Sequence, residues 1–221
     1  MKGKQLAGEK AVEYIEDGMI VGLGTGSTAY YAIKKIGELV KSGFKIKCVS
    51  TSTSTTELAT TLGIELVSLN DVESIDITID GADEIDKNNN AIKGGGGALL
   101  FEKLVATASK KVIWVVDSSK MVTKLGDFLL PIEVIPFGAK HVYNTLEING
   151  YQPKFRYTNE MLYKTDSNNY IIDVNISNVS NYLQLQEWLD SITGIVEHGL
   201  FLGSADMIVV GSEDSCDTLF V

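Results

Sequence analysis

The chain has 221 residues, enough for one large or two small domains, and 44% of them are hydrophobic, so a sizeable packed core is expected. A net charge of −10 argues against a nucleic-acid partner or an acidic membrane surface, and a single arginine, Arg156, excludes an arginine-rich phosphate clamp. No apolar run is long enough to span a membrane, MKGKQLAGEK at the start lacks a signal peptide's apolar segment, and only Cys48 and Cys216 are present, which fits a reducing cytoplasm.

Leu6, Ala7, Val12 and Ile15 make a helical stripe that stops near Gly18. MIVGLG (19–24) reads as a short buried strand entering a glycine turn, Thr28 to Val40 as a helix, and KIKCVS (45–50) as a strand. STSTST (50–55) is a loop placed between a strand and a helix; STTE (54–57) has the form of a capping box opening a helix to about Leu62. IELVSL (64–69), IDITID (75–80) and KVIWVVD (111–117) are strand runs, and a helical pattern starts at Ala98. Strands alternating with helices imply a parallel sheet covered on both faces.

The pattern changes near residue 128. LLPIEVI (129–135) predicts a strand, AKHVYNTLEIN (139–149) a helix, PKFRY (153–157) and YIIDVNI (170–176) strands, NYLQLQEWLDSI (181–192) a helix and IVEHGLF (195–201) a strand. That β-α-β-β-α-β order is ferredoxin-like. DMIVVG (206–211) can return to the first sheet. The expected architecture is α/β: a Rossmann-like parallel sheet flanked by helices over 1–128 and 202–221, plus a smaller ferredoxin-like α+β domain over 129–201.

Four stretches can carry chemistry. GLGTGST (22–28) joins a strand to a helix, where an anion can dock on backbone N–H groups and the helix dipole. It lacks the third glycine of the dinucleotide pattern, no acid ends the following strand, and there is no Gly-Lys-Ser/Thr, so a small phosphate or a plain tight turn fits better than a nucleotide. DGADEID (80–86) sets acids at a strand's carboxyl end and suits a hard cation, a carboxylate pair that moves protons, or a solvated acidic turn. KGGGG (93–97) puts a cation beside bare backbone, a pocket for a developing oxyanion; Glu102, further along the helix, is either a general base facing it or a surface residue. DSSK (117–120) offers Lys120 as a phosphate partner or an exposed lysine. His141 and His198 fall in the second unit and are read as bystanders. Each stretch is expected to follow a strand of one parallel sheet, so that all four loops meet at one edge.

GLGTGST, DGADEID, KGGGGALLFEKLVA and HGLFLGSAD, in this order and spacing, resemble type A ribose-5-phosphate isomerase over nearly the whole chain. The resemblance implies interconversion of ribose 5-phosphate and ribulose 5-phosphate in the non-oxidative pentose phosphate pathway, without metal or nucleotide cofactor. Carried over by motif, the substrate is lined by Thr25, Gly26, Ser27, Thr28, Asp80, Gly81, Ala82, Asp83, Lys93, Gly94, Gly95 and Gly96. Glu102 matches the proton acceptor, Asp80, Asp83 and Lys93 complete the catalytic set, Lys120 matches a substrate-binding lysine and Lys4 one near the phosphate. Phe101 stands where a basic residue is expected. The resemblance also implies a homodimer or homotetramer, for which the second unit is a natural interface. Two competing readings are weaker. Sugar-phosphate sensor modules trail a DNA-binding helix-turn-helix, for which the stretch before Gly22 has no room, and a nicotinamide dehydrogenase needs the missing acid.

Overall fold

A computed structural model describes residues 1–221. In chain order it contains α1 (Lys2–Val12), β1 (Ile20–Leu23), α2 (Ala29–Lys41), β2 (Lys47–Ser50), α3 (Thr53–Thr61), β3 (Ile77–Asp80), β4 (Glu84–Ile85), β5 (Ala91–Ile92), α4 (Leu99–Thr107) and β6 (Val112–Asp117). There follow β7 (Leu130–Val134), α5 (Ala139–Ile148), β8 (Lys154–Phe155), β9 (Tyr157–Thr158), β10 (Met161–Leu162), β11 (Tyr170–Val174), α6 (Tyr182–Asp190), β12 (Ile195–His198), β13 (Leu200–Phe201), β14 (Met207–Gly211) and β15 (Cys216–Phe220). Two compact units share them: Met1–Ala82, Phe101–Met121 and Ser204–Val221 form one, Asp83–Leu100 and Val122–Gly203 the other.

The first unit is built on a six-stranded sheet in the order β15-β14-β6-β3-β1-β2, parallel except for β15. All four residues of β3 are buried, as expected for a strand covered on both faces. Ile36 of α2 and Ala7 and Ala11 of α1 pack into a core with Val21, Leu23, Ile77, Ile79, Ile113 and Val115. Strand order reverses between β1 and β3, since the chain adds β2 on one side of β1 and β3 on the other. In open sheets of this type the ligand crevice lies beyond the carboxyl ends of the strands at that reversal. GLGTGST and DGADEID leave from those two strands.

The second unit has an antiparallel sheet in the order β12-β7-β11-β8 with helices α5 and α6, the strand order of a ferredoxin-like fold. Its own core joins Leu130, Ile132 and Val134 to Val142, Leu146, Leu185 and Leu189. A small sheet, β13-β5-β4, and a hairpin, β9-β10, complete it.

Several expectations are corrected. Residues 83–100 and 122–128 belong to the second unit, not to 1–128, because β4 and β5 pair with each other and β5 with β13, and because Glu84 accepts the N–H groups of Gly126 and Phe128 at 2.8 and 2.6 Å. IELVSL is not a strand: it touches the sheet only through a bridge between Leu66 and Cys48, and the Ser68 side chain then starts a 3-10 turn at Leu69. IVEHGLF is broken at Gly199, whose N–H donates to the Pro131 carbonyl and whose carbonyl accepts from Lys93, so the chain leaves β7 for β5. The capping serine of α3 is Ser52, accepting from Thr55, rather than Ser54. The C-terminal strand β15 carries no strong sequence signal, being half-exposed at the sheet edge.

Candidate active site

Asp80 ends β3 and is 1% exposed. One of its carboxylate oxygens accepts the N–H of Thr25 at 3.0 Å and of Gly81 at 2.7 Å, which ties the loop after β1 to the loop after β3. Gly24 is required there, because a Cβ on it would lie 2.1 Å from that same oxygen. The Thr25 hydroxyl is surrounded by the serines and threonines of STSTST: it lies 2.7 Å from Thr51, donates to Ser52 at 2.8 Å and lies 3.2 Å from Thr55. Thr55 in turn donates to the Gly24 carbonyl at 3.0 Å. That run therefore braces the first glycine loop, and Thr25 shapes the loop as well as lining it.

The helix that follows begins at Ala29, with Thr28 at its N-cap and nearly buried, and Gly26 and Ser27 exposed before it. Lys4 of α1 donates to the Ser27 hydroxyl at 2.9 Å and lies 3.8 Å from Asp117. Burial raises the Asp117 carboxyl, but its hydrogen bonds from Ser119 and the charges of Lys4 and Lys120 outweigh this and hold its pKa below the usual carboxylate value. Asp117 thus collects Lys4, from the N-terminal helix, and Lys120, from the turn after β6, beside the start of α2. Two cations, a hydroxyl and a helix N-terminus are the groups from which an anion site can be built. Asp117 itself was not singled out by the sequence, although as the acid of DSSK at a strand end it is a signal that could have been read.

The glycine run does not follow a strand of the parallel sheet. It follows β5 of the small sheet in the second unit, which corrects the expectation that all four loops share one edge. Gly95 donates its N–H to Asp83 at 2.7 Å and Gly97 donates to the Gly94 carbonyl at 2.9 Å, so two of the N–H groups are engaged internally. The N–H of Gly96, exposed at the loop's tip, makes no bond within the protein. The carbonyls are gripped from elsewhere in the unit: Arg156 donates to Gly94 at 2.9 Å and Gly95 at 3.1 Å, and the Tyr163 hydroxyl donates to Gly96 at 3.1 Å. Arg156 is held by a two-pronged pair with Asp173. No local pattern in the sequence flags Arg156, Asp173 or Tyr163.

Lys93 is 2% exposed, with its ammonium 5.4 Å from the centre of the Phe201 ring, a cation–π distance. Its backbone is clamped by Gly199, where a Cβ would meet the Lys93 carbonyl at 2.2 Å. HGLF therefore seats Lys93. Glu102 lies in the first turn of α4 and is 5% exposed, so it is not the surface residue that the sequence left open.

The other acids of DGADEID, the histidines and the cysteines are placed as follows. Glu84 and Asp86 are buried and spent on backbone N–H groups, Asp86 on those of Asn88 and Asn90. DGADEID thus divides into Asp80 and Asp83 at loops and two acids that fold the chain. Gly81 and Ala82 are half-buried beside Asp80. His141 is exposed on α5. His198 is buried; its Nδ1 accepts from Leu200 at 3.2 Å, which puts the proton on Nε2, 3.2 Å from Asp190. Asp190, Glu197 and His198 bring one ligand atom each within 4.8 Å, but an Nε2–H facing a carboxylate is a donor, not a ligand. Burial pushes the Cys48 thiol up to about 12, so it is not a nucleophile at neutral pH.

Residues 47–215 match the family model for ribose 5-phosphate isomerase A (phosphoriboisomerase A). A ribose-5-phosphate isomerase A of Streptococcus thermophilus is 51% identical over 213 residues, 96% of this chain and 94% of that one. The solved ribose 5-phosphate isomerase A of Methanocaldococcus jannaschii superposes with a TM-score of 0.93 at 35% identity, covering 99% of this chain and 98% of its own. A D-ribose-5-phosphate isomerase solved in complex with phospho-erythronic acid gives a TM-score of 0.94 at 37% identity, covering 99% and 97%. The motif order, the strand order and these likenesses agree, and the chain belongs to the ribose 5-phosphate isomerase A family.

Proposed function

We propose that this protein interconverts D-ribose 5-phosphate and D-ribulose 5-phosphate through an enediolate, as an aldose–ketose isomerase of the non-oxidative pentose phosphate pathway. The observation that carries the reading is the burial of three charged side chains, Asp80, Lys93 and Glu102, at glycine-rich loops of a chain 51% identical to a ribose-5-phosphate isomerase A. Carboxylates and an ammonium shielded from water are the groups that proton transfer with a developing oxyanion calls for.

Aldose–ketose isomerisation moves a proton between C1 and C2 while negative charge grows on the sugar oxygens. Glu102 is the base that takes and returns the proton. Lys93 and the Gly96 N–H stabilise the developing oxyanion without reorganising. Asp83 and Asp80, each oriented by backbone N–H donors, assist ring opening and exchange protons with the sugar hydroxyls. Lys4, Lys120, Ser27, Thr28 and the start of α2 hold the phosphate, with Thr25, Gly26, Gly81, Ala82, Gly94 and Gly95 lining the sugar. The relative holding phospho-erythronic acid, a phosphorylated sugar acid, supports a substrate of that class. The mechanism calls on no metal ion and no cofactor.

The reading places the enzyme in the cytoplasm as a homodimer or homotetramer, with no nucleic-acid or membrane partner. Two free cysteines and the lack of any helix long and apolar enough to cross a membrane support the first. Exposed Phe137, Ile148 and Met161, all of the second unit, support self-association. The test is a direct assay of ketose formation from ribose 5-phosphate in EDTA. Turnover in chelator is expected; activity that vanished and returned with a divalent ion would force a metal-site reading of DGADEID.

A further inference from the structure

We propose that Arg156, held by Asp173, is a positioning residue for the isomerisation: it sets Asp83 and the Gly96 N–H by gripping the carbonyls on the far side of their two peptide planes. The inference rests on the reading that the glycine loop and Asp83 serve the substrate.

A trans peptide is flat, and its C=O and N–H point in opposite directions. Fixing one end therefore aims the other. In the peptide between Gly94 and Gly95, the carbonyl accepts from Arg156 Nη1 at 2.9 Å and the N–H donates to Asp83 at 2.7 Å. In the peptide between Gly95 and Gly96, the carbonyl accepts from the same Nη1 at 3.1 Å, and the N–H is the one that makes no bond within the protein. One guanidinium nitrogen thus commands both groups. Tyr163 holds the next carbonyl, that of Gly96, at 3.1 Å.

Such a device is needed because of the glycines. A run of four has the widest backbone freedom of any sequence, and no side chain packs to hold it. Residues 94–97 would otherwise spread their N–H groups over many directions. Arginine suits this role because Nε and Nη2 are occupied by Asp173, which fixes the plane of the guanidinium and leaves Nη1 aimed at the loop. The positive charge at the carbonyl also polarises the peptide, making its N–H a stronger donor towards an oxyanion. Lysine has no second prong with which to hold its own direction.

The test uses the full-length protein and steady-state kinetics on ribose 5-phosphate for Arg156→Gln, Arg156→Lys, Asp83→Asn, the double variant Arg156→Gln/Asp83→Asn, and Glu102→Gln as reference. Misplacement of catalytic groups by about an ångström costs on the order of 10²-fold, and that loss is expected in the kcat of Arg156→Gln, with KM changed by less than about threefold. Arg156→Lys should recover less than about tenfold of it. The double variant should lose less than the product of the single losses, because Asp83→Asn has already removed one of the two groups that Arg156 positions. If Arg156→Gln keeps wild-type kcat while Glu102→Gln loses it, the inference is overturned and the glycine-loop reading stands. If both keep it, the reading itself falls and takes the inference with it. Fully multiplicative losses would place the action of Arg156 elsewhere and overturn it too. Should Arg156→Gln fail to fold, Arg156→Lys and Tyr163→Phe carry the test: reduced kcat at unchanged circular dichroism supports the proposal, and wild-type kcat in both overturns it.

Discussion

At the end of β3, Asp80 gathers the N–H groups of Thr25 and Gly81 onto one carboxylate oxygen, whereas in the glycine run Arg156 and Tyr163 gather the carbonyls of Gly94, Gly95 and Gly96. The charged residue that braces each loop takes the opposite pole of the peptide: a carboxylate on N–H groups in the first, a guanidinium on carbonyls in the second. Bracing by a carboxylate uses up N–H donors of the first loop, and the proposed phosphate contacts of that unit are Lys4, Lys120 and Ser27 with the start of α2. Bracing by cation and hydroxyl uses up carbonyls and leaves an N–H turned outward. A backbone donor has no rotamer to order, which suits charge that appears only in the transition state. A phosphate is charged throughout the reaction and can be held by longer, more mobile side chains.

The largest effect should come from Glu102→Gln, which keeps size and hydrogen bonding but cannot accept a C–H proton. Loss of a general base typically costs about 10²–10⁴-fold in kcat, with KM little changed because the phosphate is held elsewhere. Solvent-deuterium exchange into the sugar should fall in step. Wild-type exchange with lost turnover would move the base to Asp80 or Asp83.

The paired glycine substitutions test the comparison most directly. A Cβ on Gly24 would meet not only the Asp80 carboxylate but its Cα, at 2.4 Å, so the backbone itself must shift. Overpacking of that kind costs about 1–3 kcal/mol, or about 2–4 °C of Tm per kcal/mol at this chain length. A Cβ on Gly95 would meet only the far end of Asp83, 2.7 Å from its Oδ1, which can swing aside. Gly95→Ala should therefore keep its Tm and lose kcat by about tenfold or more through the displaced Asp83. If both variants lost stability equally, the contrast between a rigid first loop and a strapped second one would not hold.

Lys120→Ala should raise KM more than it lowers kcat, because phosphate is remote from the reacting carbons and its binding is nearly uniform along the reaction. An unchanged KM would remove Lys120 from the anion site and leave Lys4 and Ser27 to hold it.

The smallest effect concerns stability. Glu133 of β7 is buried, and burial raises its carboxyl above the usual range despite hydrogen bonds from Thr165 and Asn169. A raised folded pKa gives stability that is whole below the unfolded value, near 4.5, and is lost as pH climbs through the folded one. Glu133→Gln keeps an acceptor for both donors and cannot ionise. Its Tm, measured against wild type, should gain a few degrees at pH 8 and nothing at pH 4. An equal shift at both values would mean that burial of charge is not what burdens this site.

The sequence alone determined the parallel sheet, the ferredoxin-like strand order, the start of α4 and the motifs at which Asp80, Asp83, Lys93 and Glu102 stand. Those signals are local: β-branched runs, helical stripes, glycines beside acids. It misread IELVSL as a strand, since its alternating pattern does not reveal that it joins the sheet at Cys48 alone, which donates to Glu65 and accepts from Val67. It also read the whole glycine run as bare backbone for an oxyanion, where Gly95 and Gly97 spend their N–H groups on Asp83 and the Gly94 carbonyl. Tertiary structure alone decided that this run hangs on the small sheet of the second unit, that Asp117 collects Lys4 and Lys120, that Gly199 and Phe201 seat Lys93, and that Arg156 reaches the Gly94 carbonyl across 62 residues. The physical reason is common to all four. A hydrogen bond to a carbonyl or a carboxylate needs only a donor at about 3 Å, and a partner so far along the chain leaves no spacing or periodicity for the sequence to show.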